Sequence, residues 1–428
     1  MYKKTLLLMI FSMFILTNQC MADLSSYIKK SESDYMWEKV SEKNVSGGKI
    51  YELHMISQKW EGIVWNHKIQ IFYPDKIEHP DFCTVFNTGG NAHSMVDLAG
   101  ITLARSCGTP VAVLWNVPNQ PLFDGKREDA LVAYSFLKFF ETGNEDWPIL
   151  FPMVKSVIKS MDSLEDFTKQ EGLTPVKKFI VTGVSKRGWT SWLTAASEDT
   201  RVKAIVPMVI DTLNMKKQME RQVKIYGKAS DKIHDYRDNG ILDKLSTEEG
   251  GKLLSMVDPY SYREKLTLPK LIVNGTNDRY WTLDGLNLYW DGLPGPKWIL
   301  YVPNSGHRLE DTGRVINTVT AFIYTISGEK MFPEPAWHFK DSLKGSTLTV
   351  SSDIKPLSVT VFKSFSMIKD FRNVTWTSEQ VKERSGIYDY YMEKPESGYS
   401  AFFGEVNYDI NGRIFSLSTQ IKVVSSER

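Results

Sequence analysis

Over residues 82–326 short apolar runs alternate with amphipathic stretches, which predicts a largely parallel sheet covered by helices on both faces. Ahead of it, residues 49–58 and 63–73 alternate in polarity as antiparallel edge strands do, after a helical and irregular polar start from residue 23. Between the apolar run 204–210 and the one opening at Leu271, residues 211–265 are charged and helical, with no run of their own to join a sheet. A helical cap over a site fits that insertion, and so does a surface excursion away from any chemistry. After Gly328 the period drops to two, in the short runs 347–350, 358–362, 388–392, 399–406 and 415–423, punctuated by prolines. These predict a small all-β module, a sandwich, over residues 331–428. The connection over residues 328–335 is short and holds two prolines, so the module should pack against the body over residues 23–330 rather than swing. It should modulate access or bind a partner without supplying catalytic groups.

Chemistry enters at GVSKRG, residues 183–188. It follows the apolar run 179–181 and precedes Trp189, Trp192, Leu193 and Ala196, spaced i, i+3, i+4 and i+7. Strand, tight turn with serine at its apex, then helix is how an α/β-hydrolase fold presents a nucleophile, here Ser185. Arg187 stands where the second glycine of G-x-S-x-G is usual, and Gly188 follows it. By itself the turn also fits an ordinary serine. The fold places an acid and then a histidine downstream, and both are found. Asp278 lies just past the run 271–273, and His307 follows the run 298–302, each on a loop at a carboxyl edge where α/β sites are built. The other histidine after Asp278, His338, lies in what reads as a linker. Asp211, ending the run 204–210, is the second candidate acid; Asp284 and Asp311 read as helix-start or surface carboxylates. The oxyanion hole should combine the Lys186 N–H with an amide near Gly90 or Asn91 in the NTGGN loop, although a glycine turn with no ligand has the same sequence. Trp115, Trp189, Tyr280 and Trp281 would wall a pocket or fill the core. Glu128 and Asp129 would grip a substrate ammonium or begin a helix.

A net charge of +1 supplies no field for nucleic acid or an anionic membrane. No nucleic-acid partner is expected, and no cofactor or metal, since Cys and His residues are too scattered for ligand spacing and no phosphate-binding glycine fingerprint occurs. Lys3 and Lys4, the apolar residues 6–16 and Cys20-Met21-Ala22 read as a secretory signal peptide over residues 1–22, cleaved after Ala22. Cys20 raises lipoprotein processing, but Gln19 before it fits that poorly. The mature chain is expected to be secreted or periplasmic, without a stable membrane span. Its Cys83 and Cys107 would form a disulfide or serve as buried thiols.

The blocks VPNQPLFDGKREDALVAYSFLKFFETGNEDWPILFPMVKSVIKSMD and GVSKRGWTSWLTAASEDTRVKAIVPMVID, with NGTNDRYW, SGHRLED and KDFRNVTW, resemble the PhoPQ-activated pathogenicity-related protein family over nearly the whole mature chain. The resemblance implies an exported α/β-hydrolase-like protein in which Ser185, Asp278 and His307 match the family's serine, aspartate and histidine. It makes Arg187 a family trait, and it names no substrate. More distantly, the fold and triad order are similar to those of prolyl-oligopeptidase-type exopeptidases and carbohydrate esterases. Two functions follow as expectations: an exported serine hydrolase acting on an ester or peptide, or a secreted binding or signalling protein that keeps the scaffold and recognises a protein partner through the β module.

Overall fold

The computed structural model describes residues 24–90 and 96–427; the signal-peptide expectation and Asn91 therefore lie outside the described residues. Its centre is a nine-stranded sheet of β1 (Met36–Val45), β2 (Gly48–Trp60), β3 (Ile63–Pro74), β4 (Phe82–Asn87), β5 (Val111–Leu114), β6 (Lys178–Val184), β7 (Val202–Met208), β8 (Lys270–Gly275) and β9 (Lys297–Val302), in the order β1-β2-β3-β5-β4-β6-β7-β8-β9. The six strands from β5 to β9 along this order run parallel, and β1, β2 and β3 add an antiparallel flank. The helices are α1 (Leu24–Ile28), α2 (Val96–Cys107), α3 (Glu128–Thr142), α4 (Leu150–Gln170), α5 (Lys186–Ala196), α6 (Met215–Tyr226), α7 (His234–Arg237), α8 (Ile241–Lys244), α9 (Glu248–Val257) and α10 (Thr312–Ser327). No helix among the described residues is long and apolar enough to cross a membrane.

The central strands form because they are apolar on both faces: Phe179, Ile180 and Val181 of β6 and Leu271, Ile272 and Val273 of β8 are sealed between the helical layers. α1 and the turns over residues 29–35 agree with the reading of the chain's start as helical and irregular, and β1 corrects it for residues 36–45. Almost every side chain of β1 is exposed, so it has no alternation to read, and pairing with the edge of β2 holds it. Residues 211–265 carry α6 to α9 and two 3₁₀ turns, Asp231–Ile233 and Pro259–Lys265.

The carboxy-terminal residues build two antiparallel sheets. One joins β10 (Pro335–Ser342), β11 (Gly345–Ser352), β15 (Ile387–Glu393) and β14 (Glu383–Arg384); the other joins β12 (Ser358–Ser366), β13 (Thr377–Val381), β16 (Tyr399–Ile410), β17 (Arg413–Ser418) and β18 (Lys422–Ser425). β10 occupies the stretch read as a linker, and His338 lies exposed on it. The run 415–423 is not one strand: β17 and β18 pair with different parts of β16, and Thr419, Gln420 and Ile421 separate them. Leu348, Val361, Phe402 and Leu417 share one hydrophobic cluster with Val319, Phe322 and Ile323 of α10, so module and body close a common core. Polar contacts cross the same boundary. Thr318 and Ser416 exchange two hydrogen bonds, and Arg314 is ion-paired with Glu405. Both Cys83 and Cys107 are buried free thiols, and burial pushes each up to about 12.

Candidate active site

Ser185 joins β6 to α5 with φ 58° and ψ −125°, a backbone conformation that costs a non-glycine residue energy and persists only where neighbours hold it. The Ser185 amide donates to Met208 O at 2.9 Å, and its carbonyl accepts from Trp189 N at 3.0 Å. Close approach explains the glycines. A methyl group on Gly183 would come within 2.7 Å of the Arg187 carbonyl, and one on Gly188 within 2.7 Å of Ile210. Gly188 thus closes the elbow in place of the usual glycine one position earlier.

Arg187 has another task. Its Nε donates to Val117 O at 2.6 Å, and its two terminal nitrogens grip Glu128 at 2.6 and 2.8 Å. The guanidinium lies where a side chain on Gly89 would have to go. Gln120 completes the clamp by donating to Gly89 O at 3.1 Å and to Glu128 at 2.6 Å. The glycine loop after β4 is thereby tied to the helix that begins at the nucleophile. Burial would raise the Glu128 carboxyl, but the bonds and charge of Arg187, with the charge of Lys186, outweigh it and hold the group at about 2.

His307 Nδ1 lies 2.7 Å from Asp278 Oδ2. With Nδ1–H donating to the carboxylate, Nε2 keeps its lone pair and can accept a proton. The other Asp278 oxygen accepts from Tyr280 N at 2.8 Å, and the Tyr280 ring stacks on the imidazole with centroids 4.1 Å apart. Carboxylate and ring together fix both the tautomer and the plane of His307. Ser185 and His307 face one cavity, which Trp189, Tyr280 and Trp281 also line.

The remaining candidates divide clearly. Asp211 Oδ1 accepts from Asn274 at 2.8 Å and Tyr289 at 2.6 Å, and complete burial pushes its carboxyl up to about 6; His307 is bonded to Asp278 instead. Asp284 is ion-paired with Arg221, and Asp311 caps α10 by accepting from Arg314 N at 3.1 Å. Trp115 is buried and donates to Gln70 at 3.0 Å, beneath Gly90 rather than in the cavity wall. The Lys186 amide lies in the first turn of α5, where helix N–H groups lack intrahelical partners, and Gly90 O accepts from Asn116 N at 3.1 Å. The Lys186 side chain is buried and paired with Asp129 at 3.0 Å and Glu128 at 3.2 Å. Tyr236 OH donates to Asp129 at 3.1 Å. Both candidates for gripping an ammonium, Glu128 and Asp129, are therefore engaged within the protein.

Two positioning residues escaped the sequence reading. Asn277, next to Asp278, donates to Val374 O at 2.8 Å, and Asn304, three residues before His307, exchanges bonds with Trp376 N and O at 2.7 and 3.0 Å. An asparagine beside each of the acid and the base was the visible signal; what it would bind was not.

A model of the PhoPQ-activated pathogenicity-related protein family matches residues 24–372. The chain belongs to this family. Autocrine proliferation repressor protein A of Dictyostelium discoideum is 28% identical over an alignment covering 90% of this chain and 85% of that protein. Among solved structures, acetyl xylan esterase 1 from Thermoanaerobacterium sp. JW/SL YS485 superposes with a TM-score of 0.52 at 16% identity, covering 72% of this chain and 96% of the esterase. This PhoPQ-activated pathogenicity-related family member therefore has an α/β-hydrolase-like fold, extended by the carboxy-terminal antiparallel sheets.

Proposed function

We propose that this family member is an exported serine hydrolase that transfers an acyl group from a carboxylic ester to water. The observation that carries the reading is the 2.7 Å bond between His307 Nδ1 and Asp278, on a histidine that shares its cavity with a serine held in a strained elbow. Ser185 Oγ attacks the ester carbonyl while His307 Nε2 takes its proton. The oxyanion forms against the Lys186 N–H and the glycine loop that Arg187 holds. Collapse breaks the acyl–oxygen bond, and the proton passes from His307 to the departing alcohol; water then repeats both steps on the acyl-enzyme. Residues 211–265 act as a cap, since nine of the cavity-lining residues, from Thr212 to Leu253, belong to them. An ester is preferred over a peptide because Glu128 and Asp129 are neutralised by Arg187 and Lys186 and are not free to hold a terminal ammonium.

A fluorophosphonate probe on the purified protein should label Ser185 alone, because only a serine beside a base is activated. Asp278→Asn should fold normally and turn over an activated ester about 10⁴-fold more slowly. Labelling that survives in Ser185→Ala would refute the nucleophile. A folded protein that does not label at all would instead favour a binding role for the scaffold.

A further inference from the structure

Resting on that reading of Ser185, we infer that the site takes an ester with a short, uncharged, apolar group on one side of the scissile bond, and that Met219, Leu242 and Leu245 set its length. The cavity at Ser185 and His307 has a volume of about 60 Å³. Its walls come from both layers of the molecule: Phe136, Trp189 and Ile210 from the body, Met215, Ile233 and Leu253 from the helices above. Apolar walls of this kind gain from an apolar ligand and penalise a polar one that finds no partner. The charged groups at its edge offer none. Lys186 is held by Asp129 and Glu128, and Asp129 in turn by Tyr236, so a substrate carboxylate or ammonium would have to break an existing pair to be satisfied.

The volume sets the scale. It is less than half the roughly 150 Å³ that accommodates a benzene ring in a dry protein cavity. A group of a few carbons fills it, whereas a longer chain meets a wall. That wall is identifiable, because Met219, Leu242 and Leu245 line the inner cavity and also the surface groove beside Lys216, Glu220 and Lys224. These three side chains stand between the cavity and that groove.

Two ester series locate the apolar group. In one, p-nitrophenyl esters run from acetate through butanoate to octanoate; in the other, acetates run from ethyl to hexyl alcohol. In one of the two, kcat/KM should climb roughly fourfold per methylene, the gain expected for each buried CH₂, for the first two or three methylenes and then fall. If the acyl series is the one that climbs, the p-nitrophenyl hemisuccinate should lag behind the butanoate by at least tenfold. Leu245→Ala should shift the optimum toward longer chains, read as the ratio of octanoate to butanoate turnover or of hexyl to ethyl acetate turnover. Met219→Ala, at a half-buried position, gives the same ratio test if the first variant does not fold. Flat profiles in both series, or a climbing acyl series together with a preference for hemisuccinate over butanoate, would overturn the inference while fluorophosphonate labelling of Ser185 still stood. An absence of both labelling and ester turnover would overturn it together with the hydrolase reading.

Discussion

His67 and Asp211 are both fully enclosed, and burial displaces them in opposite senses. The His67 ring lies between the Ser57 hydroxyl at 3.0 Å and Trp115 O at 3.1 Å, and desolvation lowers it from 6.5 to about 4. Desolvation raises Asp211 from 3.8 to about 6. As pH falls from 6.5 toward 4 the unfolded chain protonates His67 while the folded chain does not, so this residue costs stability on acidification. The folded chain keeps a proton on Asp211 up to about pH 6, whereas the unfolded chain releases it near 3.8; this residue therefore adds stability on acidification over nearly the same window. Each shift corresponds to something on the order of 3 kcal/mol, and they largely cancel. Urea titrations at pH 4, 5 and 6 should expose the balance. His67→Asn should become more stable relative to the parent as pH falls, and Asp211→Asn less stable. Parallel stability curves for parent and variants would contradict the assignment.

At the scale of elements, the loops after β8 and β9 carry the acid and the base, and both are fastened to residues 371–376 of the module. The fastening is unlike a catalytic contribution, because among the described residues no module side chain lines the cavity at Ser185 and His307; it fixes the backbone from which Asp278 and His307 project. Asn304→Ala removes both bonds to Trp376, whose backbone groups then need new partners, at a cost of about 2 kcal/mol. Turnover should fall about tenfold with little change in KM, because the histidine loop loosens while the cavity wall remains. A variant that loses the stability but keeps kcat would show that the contact only holds the module in place. The elbow, β6, β8 and β9 were legible in the sequence because each is a local apolar run with a sharp end. β1 lacks that signal, being exposed on both sides, and β10 alternates only between exposed and half-buried positions. The fastening joins residues 72 and 97 apart in the chain, and its partners in the module are backbone N–H and C=O groups, which side-chain identity does not mark. Arg187 was visible as a departure from the serine motif; that it replaces a side chain on Gly89 emerges only when the two loops meet.

For the whole molecule, the shared core is the deciding feature. Phe332 lies at the crossing from body to module, with ring centroids 5.5 Å from Trp298, 5.4 Å from Phe322 and 4.9 Å from Phe415. The short proline-bearing connection predicted packing, but not that α10 would be walled on one side by the module. Body and module should then melt in a single calorimetric transition, and Phe332→Ala should lower its midpoint by an amount equivalent to about 3 kcal/mol without splitting it. Two resolved transitions in the parent protein would contradict a common core. The buried thiols extend the same argument into time. Cys83 belongs to one of the two large clusters and Cys107, with Phe322 of α10, to the other; module side chains enter both, Trp376 and Phe403 the first and Leu348 and Phe402 the second. A sulfur in each compartment, protonated and out of reach, reacts with an alkylating reagent only during excursions that expose it. Equal labelling rates at the two positions would mean that the compartments open together, and a faster Cys107 would mean that the face under α10 opens first, so the chain carries its own paired clock for the order in which it comes apart.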